Sequence, residues 1–475
     1  MTRFRLIRGF PAGALIIAAS TVFSGCFYEK SFPMETGDYF RVRHETASPP
    51  ISTRKWLAQT HGRLQHLLPA FRRTSLLTDD LVDERNVPRD VFKFFQRDPD
   101  RLQSVFCNFW GLMFSAQCIG ASSDVEALNT PWPGFEEVSF PISDTVETYG
   151  WLGLVKDGET VRKADCIVLL PGFFGDNCIL RQKDLADALL ASGFHVLAYE
   201  SRGLGVTNLR RPEIYHNFGA LETHDLMIVS DWLEEKPFIR HTGLIGYCWG
   251  ANQALLTSWY ENCLDGHASI SDRLAEHLPP LPERRRFRAG VLSFSPTLAF
   301  EEIIDKLDQE RKFLSEPALS ALQGNVELRM TDKQHPEISG SLRKLIDYEF
   351  ARSELNYPGA VRDSLRFLRF LPYKDRAVDK KLEYARLPVI VVYGSNDPLA
   401  PSQEVVELLA GLDNPNVAAV ILYGGGHVGF PAYARSYYFS LIMNFFDPVH
   451  GAAAMARPSA TIPGREVQTM NIHAR

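Results

Sequence analysis

The stretch from Gly246 to Gly250, Gly-Tyr-Cys-Trp-Gly, places a cysteine between two glycines where two predicted elements meet. The apolar run before it predicts a strand, and the residues after it predict a helix. Cys248 is therefore a candidate nucleophile, because a helix N-terminus lowers the pKa of a thiol and the glycines leave room for a strained turn. A buried, unreactive cysteine is the alternative interpretation.

Two further candidate residues each follow a predicted strand downstream. Asp397 follows LPVIVVYGS, and His427 follows VAAVILYGGG. Because the carboxyl ends of parallel strands meet at one edge of a sheet, we expect both side chains to lie near Cys248. His427 would accept the thiol proton, and Asp397 would orient the imidazole and stabilise its charged form. The sequence thus predicts a catalytic triad of Cys248, His427 and Asp397.

A third strand end supplies candidate backbone donors. The segment CIVLLPGFFGDN carries glycines directly after an apolar run, and its Phe173 amide could join the amide of Trp249 to hold a developing oxyanion. An ordinary strand-to-helix turn would explain these glycines equally well. We expect Arg202 to anchor loops, and His216 and His224 to be packing or surface residues rather than alternative bases.

Composition limits the classes of function. The chain has 475 residues, of which 45% are hydrophobic and 23% charged, as in soluble globular proteins with ample core material. Its net charge of -6 and the lack of a basic stripe argue against a nucleic-acid partner. Seven cysteines follow no metal-ligand spacing, so we expect no metal site and no cofactor. Pairing of Cys107 with Cys118, or of Cys166 with Cys178, stays open.

The elements that must position these residues alternate along the chain. From about residue 131, eight short apolar runs alternate with helical periods, which predicts an α/β fold with a mostly parallel eight-stranded sheet whose first two strands form an antiparallel hairpin. We divide the chain into a signal peptide (1–25), a helical N-terminal extension (26–130), an α/β domain (131–448) with a helical cap insertion (297–380), and a disordered tail (449–475).

The N-terminus resembles a bacterial lipoprotein signal. A basic start, MTRFRLIR, precedes a short apolar run and Ser-Gly-Cys26. Acylation of Cys26 would tether the mature chain to a membrane of the cell envelope. An uncleaved anchor and a plain secretory signal are the alternatives, although the run is shorter than the roughly 20 residues that span a bilayer.

The chain from about 131 to 448 resembles the α/β-hydrolase superfamily, since PGFFG, ESRGLG, GYCWG, GSNDPLAP and GGGHVGF occur in the order of that family. The segments IYHNFGALETHDL and GGHVGF are similar to the branch of medium-chain acyl esterases and acyltransferases. That branch has serine at the turn, whereas Gly-x-Cys-x-Gly is similar to dienelactone hydrolases and polyhydroxyalkanoate synthases.

The resemblance and the triad together predict an acyl hydrolase or acyltransferase, an esterase or thioesterase that forms a covalent acyl-thioenzyme on Cys248. The alternatives are an enzyme like polyhydroxyalkanoate synthases or depolymerases, one like dienelactone hydrolases, and a non-catalytic binding module with a hydrolase fold. The expected partners are an acyl ester or thioester and, through Cys26, a membrane. The sequence does not indicate the oligomeric state.

Overall fold

The structure is a computed structural model. It describes residues 39–42, 51–68, 75–82, 125–177, 180–263, 267–278, 280, 284–308, 326, 341–376, 378–395, 397, 399–423, 426–428, 434–449 and 451. The predicted signal peptide, Cys26, the cysteines 107, 118 and 178, and the tail beyond residue 451 lie outside the described residues.

A sheet occupies the centre of the molecule. The described strands are β1 (Ser75–Leu77), β2 (Phe135–Pro141), β3 (Glu147–Gly153), β4 (Lys156–Asp157), β5 (Thr160–Val161), β6 (Ala164–Leu170), β7 (His195–Glu200), β8 (Ile239–Tyr247), β9 (Val291–Phe294), β10 (Val389–Gly394) and β11 (Val417–Leu422). β4 and β5 form a separate hairpin, and the other nine form one sheet in the order β1-β11-β10-β9-β8-β6-β7-β3-β2. The six strands from β11 to β7 are parallel, so their carboxyl ends share one edge.

The sheet confirms the α/β class with a largely parallel sheet and corrects one expectation. All eight predicted strands form, with β2 and β3 as the expected antiparallel hairpin. A ninth strand, β1, comes from the segment that we expected to be helical and pairs antiparallel with β11. Its three residues are too few to show a strand period, and the free edge of β11 supplies the pairing.

Helices cover both faces of the sheet. The described α-helices are α1 (Thr53–Leu64), α2 (Thr78–Val82), α3 (Val125–Asn129), α4 (Leu180–Ala191), α5 (Gly205–Arg210), α6 (Glu222–Glu234), α7 (Trp249–Tyr260), α8 (Asp272–Glu276), α9 (Phe300–Leu307), α10 (Leu342–Phe350), α11 (Ala360–Leu368), α12 (Ser402–Leu409) and α13 (Arg435–Phe446). No helix in the described parts of the chain is long and apolar enough to cross a membrane.

Alternate residues of each central strand face different cores. Leu244 of β8 packs with side chains of α6, α7 and α12, whereas its neighbour Ile245 packs with side chains of α1, α4 and α13. Every residue of β6, β10 and β11 is buried, as expected for parallel strands covered on both faces. This double burial fixes the register of the strands, and so fixes where each strand ends.

The described part of the N-terminal segment packs onto the same sheet. The guanidinium of Arg54 in α1 donates to the carbonyl of Leu412 at 2.7 Å, and the Nδ1 atom of His61 lies 2.7 Å from the hydroxyl of Tyr437 in α13. The amide of Val42 also donates to Asn444 at 2.8 Å. These residues therefore share the core of the central sheet.

The insertion between β9 and β10 contains α9, α10 and α11 among its described elements. Arg202, after β7, donates to Glu354 of the insertion at 2.5 Å and to both oxygens of buried Asp225 in α6 at 2.5 and 2.6 Å. The ammonium of Lys381 donates to the carbonyl of Phe367 near the end of α11 at 2.7 Å. The Arg202–Glu354 ion pair thus ties the insertion to the loop after β7, at the carboxyl edge of the sheet, and Lys381 caps the end of α11.

Candidate active site

Cys248 lies at the turn between β8 and α7, with φ 54° and ψ -116°. An L-residue rarely adopts such a conformation, because its side chain meets its own backbone. A Cβ atom on Gly246 would overlap the carbonyl of Gly250, and a Cβ atom on Gly250 would overlap the carbonyl of Pro171. The two glycines are therefore needed where β8, α7 and the loop after β6 approach one another.

His427 and Asp397 form a buried pair on the loops that follow β11 and β10. The Nδ1 atom of His427 lies 3.0 and 2.9 Å from the two carboxylate oxygens of Asp397. One of these oxygens also accepts hydrogen bonds from the amides of Leu399 and Ala400, at 2.9 and 2.8 Å. The Asp397 carboxylate is thus held in place, and it in turn orients the imidazole.

The other ring nitrogen of His427, Nε2, is not bonded to Asp397. It is buried and forms no hydrogen bond of good geometry among the described residues. Burial acts to lower the pKa of His427, but the charges of Asp397 and Cys248 raise this pKa well above its usual value. His427 is therefore poised to hold a proton while it faces a negative sulfur.

The pKa of Cys248 shifts in the opposite direction to that of His427. Burial acts to raise the pKa of Cys248, but the charge of His427 acts against burial, and the pKa is lowered. A hydrogen bond from the backbone of Phe173 lowers the pKa further. The two opposite shifts favour a thiolate–imidazolium pair, whose titration belongs to both groups together.

The two predicted oxyanion donors lie on the loop after β6 and at the start of α7. Phe173 follows β6, and a backbone hydrogen bond from it contributes to the lowered pKa of Cys248. Trp249 is the first residue of α7, where backbone amides have no acceptor within the helix. An anion that forms on an acyl group attached to Cys248 would have these amides beside it.

Aromatic side chains surround this centre. The ring centroid of Phe173 lies 6.2 Å from that of Trp249, and the Trp249 and Phe300 rings are 4.2 Å apart. Phe218 is 6.0 Å from Phe300 and stacks on it. These four residues are at most 6% exposed, and Cys248 is 4% exposed. Cys248 therefore lies in an apolar, largely dehydrated setting where charges interact strongly.

Backbone strain is concentrated around the same centre. Besides Cys248, four non-glycine residues on the surrounding loops have positive φ angles: Phe174 at 59°, Phe218 at 56°, Ser295 at 49° and Val428 at 51°. Such conformations cost about 1–3 kcal/mol each and persist where the surrounding structure enforces them. Three further non-glycine residues with positive φ angles, Phe287, Lys374 and Asp375, lie outside these loops, so five of the eight among the described residues are grouped around Cys248 and His427.

The remaining predicted residues take different places. Arg202 is buried in the ion pairs described above, which agrees with an anchoring role. His216 is also buried, and its Nδ1 atom accepts the amide of Phe218 at 3.2 Å, while its Nε2 atom lies 3.6 Å from Glu222. His224 is buried on α6. Neither histidine is paired with Asp397, which holds His427.

Sequence reasoning missed three residues beside the nucleophile: Thr297, Asn252 and Glu404. The hydroxyl of Thr297 lies 3.7 Å from Sγ of Cys248. Asn252 bonds to the backbone of Thr297, and Glu404 accepts the amide of Leu298 at 2.8 Å. Two signals were available: Thr297 follows a strand end, and Asn252 lies one helical turn beyond the cysteine. Within the described residues, no group of side chains could hold a metal ion.

Comparison with known proteins identifies the family of this chain. The chain is similar to an esterase from Pyrococcus furiosus, at 14% identity and a TM-score of 0.40, over 70% of this chain and 98% of that chain. It is also similar to Est1E from Butyrivibrio proteoclasticus, at 13% identity and a TM-score of 0.38, over 65% of this chain and 97% of that chain. A third similar structure is the α/β hydrolase GrgF from Penicillium sp. sh18, at 17% identity and a TM-score of 0.41, over 67% of this chain and 99% of that chain. No curated protein matches the sequence. The sequence model of the family described as "alpha/beta hydrolase fold" matches residues 165–431, which is more than half of the chain. This chain belongs to the α/β-hydrolase family.

Proposed function

We propose that the protein is an acyl hydrolase or acyltransferase in which Cys248 attacks the carbonyl carbon of an ester or thioester. The observation that carries this proposal is a thiol on a strained strand-to-helix turn near a buried His427–Asp397 pair, whose charge acts to lower the pKa of that thiol. A cysteine that served only to fill the core would need neither the strain nor the buried ion pair.

The first half of the reaction forms the acyl-enzyme. The thiol proton of Cys248 passes to Nε2 of His427, and a bond forms between Sγ and the carbonyl carbon. The carbonyl oxygen becomes negative and accepts hydrogen bonds from the amides of Phe173 and Trp249. As the tetrahedral intermediate collapses, the bond to the leaving alcohol or thiol breaks, and His427 returns the proton to that leaving group.

The second half releases the acyl group. A water molecule or an alcohol gives a proton to His427, and its oxygen attacks the carbonyl carbon of the Cys248 thioester. The bond to sulfur then breaks, and the proton returns to the sulfur. Because a thioester is more reactive than an oxyester, the intermediate can pass its acyl group to either acceptor.

The surroundings of the sulfur favour an apolar acyl group. Phe173, Phe218, Trp249 and Phe300 line this side of the nucleophile, and all four are buried. The aromatic side chains would exclude water from an acyl chain and from the developing oxyanion. An apolar chain would add the usual gain of about 25 cal/mol for each square ångström that leaves water.

The experiment that tests this function is detection of the acyl-enzyme. The full-length chain is incubated with a panel of p-nitrophenyl esters and acyl thioesters, and intact and peptide mass spectrometry are used to look for an acyl adduct. We expect the adduct on the peptide that contains Cys248, and none on the Cys248→Ala variant. Turnover without a Cys248 adduct, even after rapid quenching, together with an active Cys248→Ala variant, would refute the proposal.

We also propose that Cys26 anchors the mature chain to a membrane of the cell envelope. This proposal depends on the basic start, the apolar run and Ser-Gly-Cys26 in the sequence. Metabolic labelling with a palmitate analogue is expected to tag the wild-type chain and not the Cys26→Ala variant. An unlabelled wild-type protein outside the membrane fraction would favour a plain secretory signal.

A further inference from the structure

Thr297 contacts the sulfur of the candidate nucleophile. It lies three residues beyond the end of β9, and its hydroxyl is 3.7 Å from Sγ of Cys248, within hydrogen-bonding distance for sulfur. The residue is 3% exposed. No other hydrogen bond to this hydroxyl occurs among the described residues. Because a buried hydroxyl without a partner costs free energy, the sulfur is the group that this hydroxyl satisfies.

Asn252 fixes the backbone of Thr297 relative to the nucleophile. The Asn252 side-chain amide donates to the Thr297 carbonyl at 2.5 Å, and its oxygen accepts the Thr297 amide at 2.6 Å. Asn252 lies one turn into α7, the helix that begins directly after Cys248. Two hydrogen bonds from one rigid side chain thus couple the position of Thr297 to the turn that carries the sulfur.

The residues on either side of Thr297 are also held. The hydroxyl of Tyr393 in β10 donates to the carbonyl of Pro296, and the carboxyl group of Glu404 in α12 accepts the amide of Leu298. Ser295, at the start of this loop, has a φ of 49°. Side chains of β10, α7 and α12 therefore hydrogen-bond to the backbone of residues 296–298, which directly follow the strained Ser295. An ordinary strand-to-helix connection needs fewer such constraints.

The titratable groups near the sulfur come from three elements. His427 and Asp397 lie on the loops after β11 and β10, and Glu404 of α12 is near enough to Asp397 for their charges to interact. Burial raises the pKa of Glu404 to about 8, with Asp397 adding to the effect, so this carboxyl group is mostly protonated at neutral pH. The phenol of Tyr393 is kept neutral, because burial holds its pKa well above the usual value. His427 is thus the cation beside the sulfur, and Thr297 is a neutral donor.

We propose that Thr297 is a further catalytic residue, whose hydroxyl donates a hydrogen bond to the thiolate of Cys248 in the resting enzyme. The inference rests on the proposed role of Cys248 as nucleophile. The hydrogen bond stabilises the charged sulfur after its proton has passed to His427, so that the thiolate persists at lower pH. When the sulfur becomes part of a thioester it loses its charge, and the hydrogen bond weakens.

The Thr297→Val variant removes the hydroxyl and keeps the branched shape. Alkylation of Cys248 by iodoacetamide, followed by peptide mass spectrometry across a pH series, reports the thiolate directly. We expect alkylation about tenfold slower in this variant at mildly acidic pH, the size of effect that one hydrogen bond to a charged group produces. The rates should converge at high pH, where the thiol is ionised in both proteins. Thr297→Ser should restore the wild-type profile.

A matched control is available in α7. Thr257 is also buried, and its hydroxyl donates to the carbonyl of Gln253 at 2.7 Å, away from the sulfur. Thr257→Val should leave the alkylation profile unchanged. If Thr297→Val fails to fold, Thr297→Ala removes the same hydroxyl with less bulk, and its profile is read against that of Thr297→Ser.

The outcome separates this inference from the proposed function, because alkylation does not depend on turnover. An unchanged profile in folded Thr297→Val or Thr297→Ala, or a Thr297→Ser profile like that of the valine variant, would overturn the role of Thr297 even if esters are cleaved. A shifted and rescued profile would support that role. If no ester or thioester acylates Cys248 in the same protein, the proposed function fails instead.

Discussion

Two buried, free cysteines of this protein differ in their position along a strand and in the direction of their pKa shifts. Cys166 lies within β6 and is 0% exposed, and Cys248 lies at the end of β8 and is 4% exposed. Both are free thiols. Burial raises the pKa of Cys166, and the charge of Asp165 adds to that effect. For Cys248, the charge of His427 acts against burial, and the pKa is lowered.

The difference comes from position along a strand. Inside β6 a backbone hydrogen bond from Leu197 of β7 acts to lower the pKa of Cys166, but no cation of the described residues lies beside the sulfur to outweigh burial among the influences on this thiol. At the end of β8 the pairing stops, and loops after β6, β9 and β11 bring Phe173, Thr297 and His427 to the sulfur. We therefore expect the thiol at the strand end to be the reactive one and the thiol inside the strand to be inert.

The largest expected effect is that of Cys248→Ala on turnover. We expect a loss of at least about 1000-fold in kcat/KM on any ester that the wild type cleaves, because the nucleophile is removed. The matched change, Cys166→Ala, should keep the rate within about threefold. Steady-state kinetics with a p-nitrophenyl ester would measure both. Equal losses in two folded variants would show that the contrast between the thiols is not catalytic.

The next largest effect separates His427 from Asp397. His427→Ala removes the proton acceptor of Cys248, whereas Asp397→Ala removes only orientation and stabilisation of the charged ring. We expect the histidine variant to be slower by a further factor of tens to about a hundred. Both losses should be greater on an oxyester than on the matched thioester, since an alkoxide leaves poorly without a proton. Near-normal rates for His427→Ala would remove this residue from the site.

Much of the sheet could be predicted from the sequence. Uninterrupted apolar runs such as VIVVYG are the signature of strands covered on both faces, and these runs formed β10 and its neighbours. β1 was missed because a three-residue edge strand has no period of its own. Its formation depends on the free edge of β11, which lies more than 300 residues away along the chain.

The candidate site could also be predicted only in part from the sequence. Cys248, Asp397 and His427 each follow a predicted strand, so strand order and direction were enough to predict that they lie at one edge of the sheet. Thr297 could not be assigned in this manner, because its role depends on a contact with Asn252 across two elements. The pairing of Cys166 with Cys178, left open by the sequence, is not formed, since Cys166 is a free thiol inside β6.

A smaller effect is expected on the pH dependence of cysteine alkylation. Because the pKa of Cys248 is lowered, its thiolate persists below the pH range in which an ordinary cysteine ionises, and its alkylation should fall only as the pH drops through that lowered pKa. Cys166, whose pKa is raised, should stay unmodified across the neutral range until the chain unfolds. Mass spectrometry of iodoacetamide-treated protein at several pH values, with a urea-unfolded control, measures both sites. A Cys248 profile like that of a free thiol would contradict the ion pair.

The smallest expected effect is on stability, and it tests the backbone rather than the chemistry. Cys248 has a φ of 54°, which glycine adopts more readily than alanine, so Cys248→Gly should be more stable than Cys248→Ala by about 1 kcal/mol. At Cys166, inside β6, the order should reverse by about the same amount, because glycine weakens a strand. Urea unfolding of the four variants under reducing conditions gives both differences, and comparison within each site cancels most of the lost side-chain packing. Differences of the same sign at both positions would show that the turn at Cys248 is not strained, and that electrostatics alone separates the two thiols.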